Sequence, residues 1–254
     1  MTRVPGALCA ALGPGPRHHQ VQRPTLRITR HCSLGGPLSP VLANAVLHRL
    51  DRAWAQQHQR LGVLIRYADD EVICCPTKER GEAALAVLAN ILAGLGLSLS
   101  RSKTRIVCVA DGTQGFDFLG FHHRMVPARR NPRRPYLACW PSDKKMVQAR
   151  SRVRELTGRN RRHVPTHLLV EDLNQYLRGW RQYYRFGNST RRFAKLDRYV
   201  FERMALLLSK RHGRHGRGYG MKLIIVSGNS LGLLRLTGTI GYGRTAHAAG
   251  EGRR

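Results

Sequence analysis

The chain has 254 residues, 42% of them hydrophobic, with 44 Lys and Arg against 15 Asp and Glu and a formal net charge of +29. Apolar residues recur at regular spacing between residues 38 and 208, which excludes disorder throughout, and no stretch approaches the ~18–20 uninterrupted apolar residues of a bilayer helix. Positive charge on this scale repels itself unless a polyanion neutralises it, so nucleic acid is the expected partner and a membrane is not.

Residues 1–34 read as a loose basic leader. Pro5, Pro14, Pro16 and Pro24 interrupt it, and residues 1–30 hold five arginines and no acid. No helical or strand period survives there. Residues 4–12 are too short, and too broken by Pro5 and Gly6, to act as a secretory signal.

Order begins at Gly35-Gly36-Pro37-Leu38-Ser39-Pro40, where Ser39 suits a helix cap and Pro40 the first helical position. Leu42, Val46, Leu50 and Trp54 then form one stripe of an amphipathic helix. Two β-rich runs, 63–67 and 71–75, flank Ala68-Asp69-Asp70 and predict a hairpin with a tight acidic turn. Thr77 opens a second helix with an apolar face of Ala84, Leu85, Leu88, Ile91, Leu92 and Leu95, ending near Gly94 and Gly96. Residues 97–99 and 105–109 alternate like short strands, and 116–121 read as a further strand or hairpin arm. The predicted fold class is α+β, with helices layered on one face of an antiparallel sheet.

Residues 129–139 are basic and broken by Pro132 and Pro135, marking a linker after a first domain of 35–128. Beyond it the pattern is helical. Leu173, Tyr176, Leu177, Trp180, Tyr183 and Tyr184 share one stripe, and Phe193, Leu196, Val200, Met204 and Leu207 another. From Arg124 to Arg217 there are 25 basic and 6 acidic residues, so +19 of the net charge lies in this stretch, which contains the helical domain of 140–212. Residues 213–254 form a glycine-rich basic tail, in which the apolar runs 223–226 and 231–236 make either a small closing element or a loose end. The six cysteines contain no C-x-x-C pair, and His122-His123 has no Cys beside it. Buried free thiols in a reducing cytosol are expected rather than zinc ligands, with the chain cytoplasmic and associated with nucleoid or RNA.

Asp69 and Asp70 carry the chemistry. A pair of aspartates also suits an ordinary solvated turn. Between two strands of buried type, however, both carboxylates would be held rigidly, and in a chain built for nucleic acid that suggests divalent-metal phosphoryl transfer.

Tyr67-Ala68-Asp69-Asp70 resembles the YxDD signature of reverse transcriptases, and the order of the surrounding motifs resembles the group II intron reverse transcriptase/maturase family. Gly35-Gly36-Pro37-Leu38-Ser39-Pro40 with Leu42-Ala43-Asn44 is similar to the palm motif before the catalytic hairpin. Residues 96–104 are similar to the motif after it, and Phe118-Leu119-Gly120-Phe121 to the primer-grip region. Leu173-Asn174, Leu177-Arg178-Gly179-Trp180, Tyr183-Tyr184, Gly187, Phe193, Leu196-Asp197 and Tyr199-Val200 resemble the maturase-specific domain, also called domain X or thumb.

The resemblance implies a partial polymerase palm followed by a mainly α-helical thumb. It also implies RNA-directed DNA synthesis with Mg2+ and assistance to the folding and splicing of intron RNA, with that RNA and a DNA primer or target as partners. It makes Asp69 and Asp70 metal ligands. Lys103 lies near the incoming nucleotide's phosphates, as an acid for pyrophosphate or as a plain turn lysine. Gly35, Gly36 and Tyr67 border the templating pair, and Phe118, Leu119 and Gly120 form the primer grip. Arg178, Arg181, Arg185, Arg191, Arg192, Lys195 and Arg198 would track RNA phosphates. Trp180, Tyr183 and Tyr184 have rings that could stack bases, but they share a stripe with Leu173 and Leu177, which favours the core.

Two departures stand beside these matches. The family's palm holds another metal-binding Asp on a strand upstream of the Gly-Gly-Pro motif, yet no Asp or Glu precedes Asp51, which falls on the following helix. The fingers region should also precede residue 35, and Ser33-Leu34 stand where the family usually has Pro-Gln. The expectation is a C-terminal part of a reverse transcriptase, with an unrelated leader and a sheet edge left open by a missing strand. Such a chain would have no useful polymerase activity alone, unless a separate fingers/palm fragment completes it. The alternatives are a non-catalytic RNA-binding maturase module or a decayed mobile-element fragment.

Overall fold

The computed structural model describes residues 8–12, 39–100, 103–129, 131–226 and 231–240. They divide into two compact units, the first of residues 1–119 and 123–137, the second of 120–122 and 138–254.

In the first unit an antiparallel sheet of order β2-β3-β1-β4 combines β1 (Leu8–Leu12), β2 (Val63–Tyr67), β3 (Asp70–Cys75) and β4 (Arg105–Cys108). Helices α1 (Ser39–Ala53) and α2 (Lys78–Gly94) cover one face. The period of 2 along β3 sorts its side chains. Ile73 and Cys75 join Leu47, Leu50, Trp54, Ala84, Leu88 and Leu92 beneath the helices. Val72 instead joins Val107, Val109 and Phe116 in a separate cluster. A π-helical turn, Trp54–His58, continues α1 and lets the Trp54 indole N–H donate to the carbonyl of Gly62 at 3.0 Å. Thr77 caps α2 as predicted, its hydroxyl accepting from the Arg80 N–H.

Three expectations are corrected. Part of the leader forms β1, and it lies between β3 and β4, so a strand fills the centre of the sheet where an open edge was expected. Its apolar run was too short and too close to Pro5 and Gly6 to stand out by period. Residues 97–99 take no strand, because Gly96, at φ +73°, ends α2 in a turn that closes back on Leu92 and Ala93. The basic stretch 129–139 is not all linker. After β5 (Gly115–Phe118) and β6 (Phe121–Val126), strand β7 (Tyr136–Pro141) begins within it, and the three form a sheet of order β5-β6-β7.

The second unit packs α3 (Asp143–Leu156), α4 (Thr166–Tyr184), α5 (Thr190–Arg211) and α6 (Gly218–Val226). Ser142 caps α3. Each helix contributes a stripe at helical spacing to one core, including Met146, Ala149 and Val153 from α3, Leu173, Leu177 and Trp180 from α4, and Phe193, Leu196, Val200 and Met204 from α5. Leu233 and Leu236 close that core, so 231–240 is a closing element and not a loose end. Two residues of the maturase-like motif hold it there. Asn174 donates to the carbonyl of Gly232 and accepts from the N–H of Leu234. The Asp197 carboxylate accepts from the N–H groups of Leu236 and Thr237 and from the Thr237 hydroxyl. Helix α6 approaches α5 so closely that a Cβ on Gly220 would lie 2.0 Å from the carbonyl oxygen of Ala205.

Of the expected buried thiols only Cys75 is fully buried, while Cys74 and Cys139 are half-buried and Cys108 is exposed, and none of these four is in a disulfide. No described helix is long and apolar enough to cross a membrane.

Candidate active site

The acidic hairpin forms as the alternation predicts. Tyr67 pairs with Asp70, leaving Ala68 and Asp69 as the two loop residues. Ala68 adopts φ +54°, the left-handed region that costs an L-residue with a Cβ about 1–2 kcal/mol. Arg66 holds that turn. Its guanidinium donates to the Ala68 carbonyl at 2.8 Å, to the Asn44 side-chain oxygen at 3.0 Å and to Asp51 through two nitrogens, one at 2.9 Å. The hydrogen bonds to Asp51 raise the Arg66 pKa, keeping the fork charged. One side chain thus ties the tip of the hairpin to two positions on α1. Sequence reasoning missed it, although a lone arginine in the apolar run Val63-Leu64-Ile65-Arg66-Tyr67 signals a charge with a fixed partner.

Asp51 is therefore engaged with Arg66. Asp69 is exposed and Asp70 half-buried. Burial and the neighbouring Asp69 charge push the Asp70 pKa up, and Lys103 pulls it back down. The fold thus brings Asp69, Asp70 and Lys103 into one electrostatic neighbourhood, with Tyr67 exposed beside them.

Glu71 is the second residue that sequence reasoning passed over. It alternates with Asp70, so it lies on the helix-covered face with Ile73 and Cys75, and it is buried. Desolvation lifts its pKa to about 7. Arg66 lowers it, while Asp51 and Asp69 raise it.

Magnesium is satisfied by one or two carboxylates together with waters and substrate phosphates. Asp69 and Asp70 are donors of that kind, and their mutual repulsion is what a cation relieves. Among the described residues no group of three His, Cys, Asp or Glu side chains converges on a metal position. Strand β1 runs beside β3 with Leu12 opposite Glu71, and its sequence, Leu8-Cys9-Ala10-Ala11-Leu12, contains no carboxylate.

The remaining predicted site residues fall elsewhere. Gly35 and Gly36 lie outside the described residues. Phe118 ends β5, and Leu119 and Gly120 form the turn to β6, both at positive φ (+49° and +79°). In the second unit the Gly120 carbonyl accepts from the N–H of Ser142, and a Cβ on Gly120 would sit 2.8 Å from the Tyr184 hydroxyl.

The predicted RNA-contacting residues lie on α4 and α5 and at the C-terminus of α4. Arg178, Arg191, Lys195 and Arg198 are exposed, whereas Arg181, Arg185 and Arg192 are half-buried. Arg192 pairs with Asp143 and Arg198 with Glu202, so part of their charge is compensated within the fold. Trp180 and Tyr184 are core residues as expected, but Tyr183 is 52% exposed, which corrects its assignment to the core. It falls at the margin of a stripe whose centre is Leu173, Leu177 and Trp180.

Comparison with known proteins adds to this geometry. Residues 10–123 match the family model "Reverse transcriptase (RNA-dependent DNA polymerase)", and residues 146–222 match "Group II intron, maturase-specific domain". The first match begins inside β1 and the second reaches α6, so the likeness is longer than the 35–212 that the motifs span. The leader is accordingly not all unrelated sequence. A retron Mx65 reverse transcriptase of Myxococcus xanthus is 40% identical over 78 residues, 30% of this chain and 18% of that protein.

Proposed function

We propose, on the premise that this chain is a group II intron reverse transcriptase/maturase-like protein, that it binds intron RNA through its basic helical unit and contributes Asp69 and Asp70 to RNA-directed DNA synthesis. The observation that carries the reading is the rigid hairpin tip, where two adjacent carboxylates stand near Lys103 on a turn held by Arg66. Asp69 and Asp70 would hold divalent magnesium. That ion would supply activation of the attacking 3′ oxygen and neutralisation of charge on the leaving pyrophosphate, with a two-metal arrangement as the full form. The residues of this chain do the positioning. Arg66 keeps the tip from swinging, Lys103 presents a cation to phosphate oxygens, and Tyr67 borders the growing base pair.

The carboxylate set is incomplete within residues 1–50, which hold no Asp or Glu. On this reading a fingers and palm segment supplies the third carboxylate. A site lacking one member of a catalytic unit typically loses orders of magnitude in rate. With magnesium, an RNA template and a DNA primer, this chain alone should make no more DNA than its Asp69→Ala variant. Added to a fingers and palm fragment that bears an upstream Asp, it should extend the primer, and Asp69→Ala should abolish that extension. Extension that ignores both Asp69→Ala and Asp70→Ala in the complemented reaction refutes the assignment of the hairpin.

RNA binding is the separable half of the function. Affinity for structured RNA should survive Asp69→Ala and fall steeply between roughly 50 and 200 mM salt, because several phosphate contacts release counterions. A flat salt response would remove the phosphate-tracking role of α4 and α5. On this reading the chain works in the cytoplasm beside its RNA, and a maturase-only role remains available where no complementing fragment is present.

A further inference from the structure

We propose that the C-terminal end of α4 is a stacking platform for an unpaired stretch of RNA, with the Tyr183 and Phe186 rings taking bases and arginines taking the flanking phosphates. This deepens the RNA-binding half of the proposed function and rests on it.

Tyr183 and Phe186 are 52% and 51% exposed, although both are large rings that bury readily. Their surroundings hold them in place. The Phe121 ring stacks on Tyr183 with centroids 5.6 Å apart, and buried Tyr184 meets Tyr183 edge-on at 4.8 Å. The Arg185 guanidinium sits over Phe186, 4.9 Å from its centroid. A base arriving on such rings stacks without first having to order them, so little conformational entropy is lost on binding.

Charge selects the occupant. Residues 173–196 contain six Arg or Lys and no Asp or Glu. Of these, Arg185 stands at the rings themselves, over Phe186. Arg192 pairs with Asp143, but an apolar protein partner would still have to accept the field of the others, whereas a nucleic-acid strand carries the opposing charge and flat π-faces together. Paired RNA buries its base faces in the helix and offers phosphates and 2′-hydroxyls instead. Aromatic platforms therefore favour unpaired nucleotides, which can be splayed onto them.

The test measures the affinity of the full chain, at one fixed salt concentration, for an unpaired RNA of about 12 nucleotides and for the blunt duplex of the same length. Tyr183→Ala and Phe186→Ala should each weaken the unpaired complex about five- to a hundredfold. Duplex affinity and the salt slope should stay as in the unaltered chain. Tyr183→Phe should bind like the unaltered chain, and Phe186→Leu, apolar but without a π-face, should behave like Phe186→Ala. Thermal unfolding of every variant reports whether the helical unit is intact. Phe186→Ala carries the test by itself if Tyr183→Ala disturbs the packing of Phe121 and Tyr184.

Unchanged affinity for the unpaired strand, or equal losses on both RNAs, overturns the platform while leaving phosphate-tracking RNA binding in place. A chain that binds neither RNA overturns the RNA-binding reading itself.

Discussion

Glu71→Gln probes the electrostatics beside the acidic hairpin without touching Asp69 or Asp70. The Glu71 carboxyl is 4% exposed, and desolvation lifts its pKa from 4.5 to about 7. Arg66, whose fork donates to Asp51, Asn44 and the Ala68 carbonyl, offsets the desolvation only in part. The folded chain keeps this proton to about pH 7, whereas the unfolded chain releases it near 4.5. In that window the folded state binds more protons, so stability falls as pH rises. The cost is absent below 4.5 and complete above 7, and the shift corresponds to a penalty on the order of 3 kcal/mol. Gln has the same shape and cannot ionise, so the variant escapes the penalty. Native-state amide hydrogen exchange of β3, read on the full chain in metal-free buffer and corrected for intrinsic rates, isolates this region. At pH 8 the Gln variant should be better protected, by up to about 300-fold. At pH 4.5 the two proteins should match. Equal protection at both pH values, or a wild-type excess that grows with pH, would refute the account of a buried acid held against its charge.

Arg66→Ala should destabilise the first unit by about 2 kcal/mol, since it strands the half-buried Asp51 and removes the brace on the Ala68 carbonyl. Exchange of the turn amides should accelerate most, and Arg66→Lys should restore less than half, because an ammonium cannot reproduce the fork. Asp197→Ala should cost about 3 kcal/mol in the second unit, because a buried charged acceptor with several donors is lost. Limited proteolysis should then cut within 231–240, and Asp197→Asn should be milder. Gly220→Ala forces a Cβ against the Ala205 carbonyl, and α5 and α6 should separate at a cost of about 2–3 kcal/mol, visible as a lower thermal midpoint by circular dichroism.

Local patterning in the chain was enough to specify its elements wherever period and caps agreed. The alternation on either side of Asp69-Asp70 specified the hairpin, Thr77 the start of α2, and the stripe from Leu173 to Tyr184 the buried face of α4, because those signals act between near neighbours in sequence. The motif Tyr67-Ala68-Asp69-Asp70 likewise marked the candidate site without any knowledge of the fold. What local pattern could not determine were the meetings of distant segments. Strand β1 gains its place only because β3 and β4 present unpaired edges to it. Arg66 becomes the brace of the turn only because α1 carries Asn44 and Asp51 past it, 22 and 15 residues away in sequence. Asn174 and Asp197 look like ordinary polar motif positions until 231–240 folds back on them. Glu71 and Tyr183 show the same limit from opposite sides. Glu71 stands unremarked at the start of a β-rich run and Tyr183 reads as a core ring, and the packing of neighbouring elements buries the first and exposes the second. Burial depends on what covers a face, and that is settled by contacts far apart along the chain.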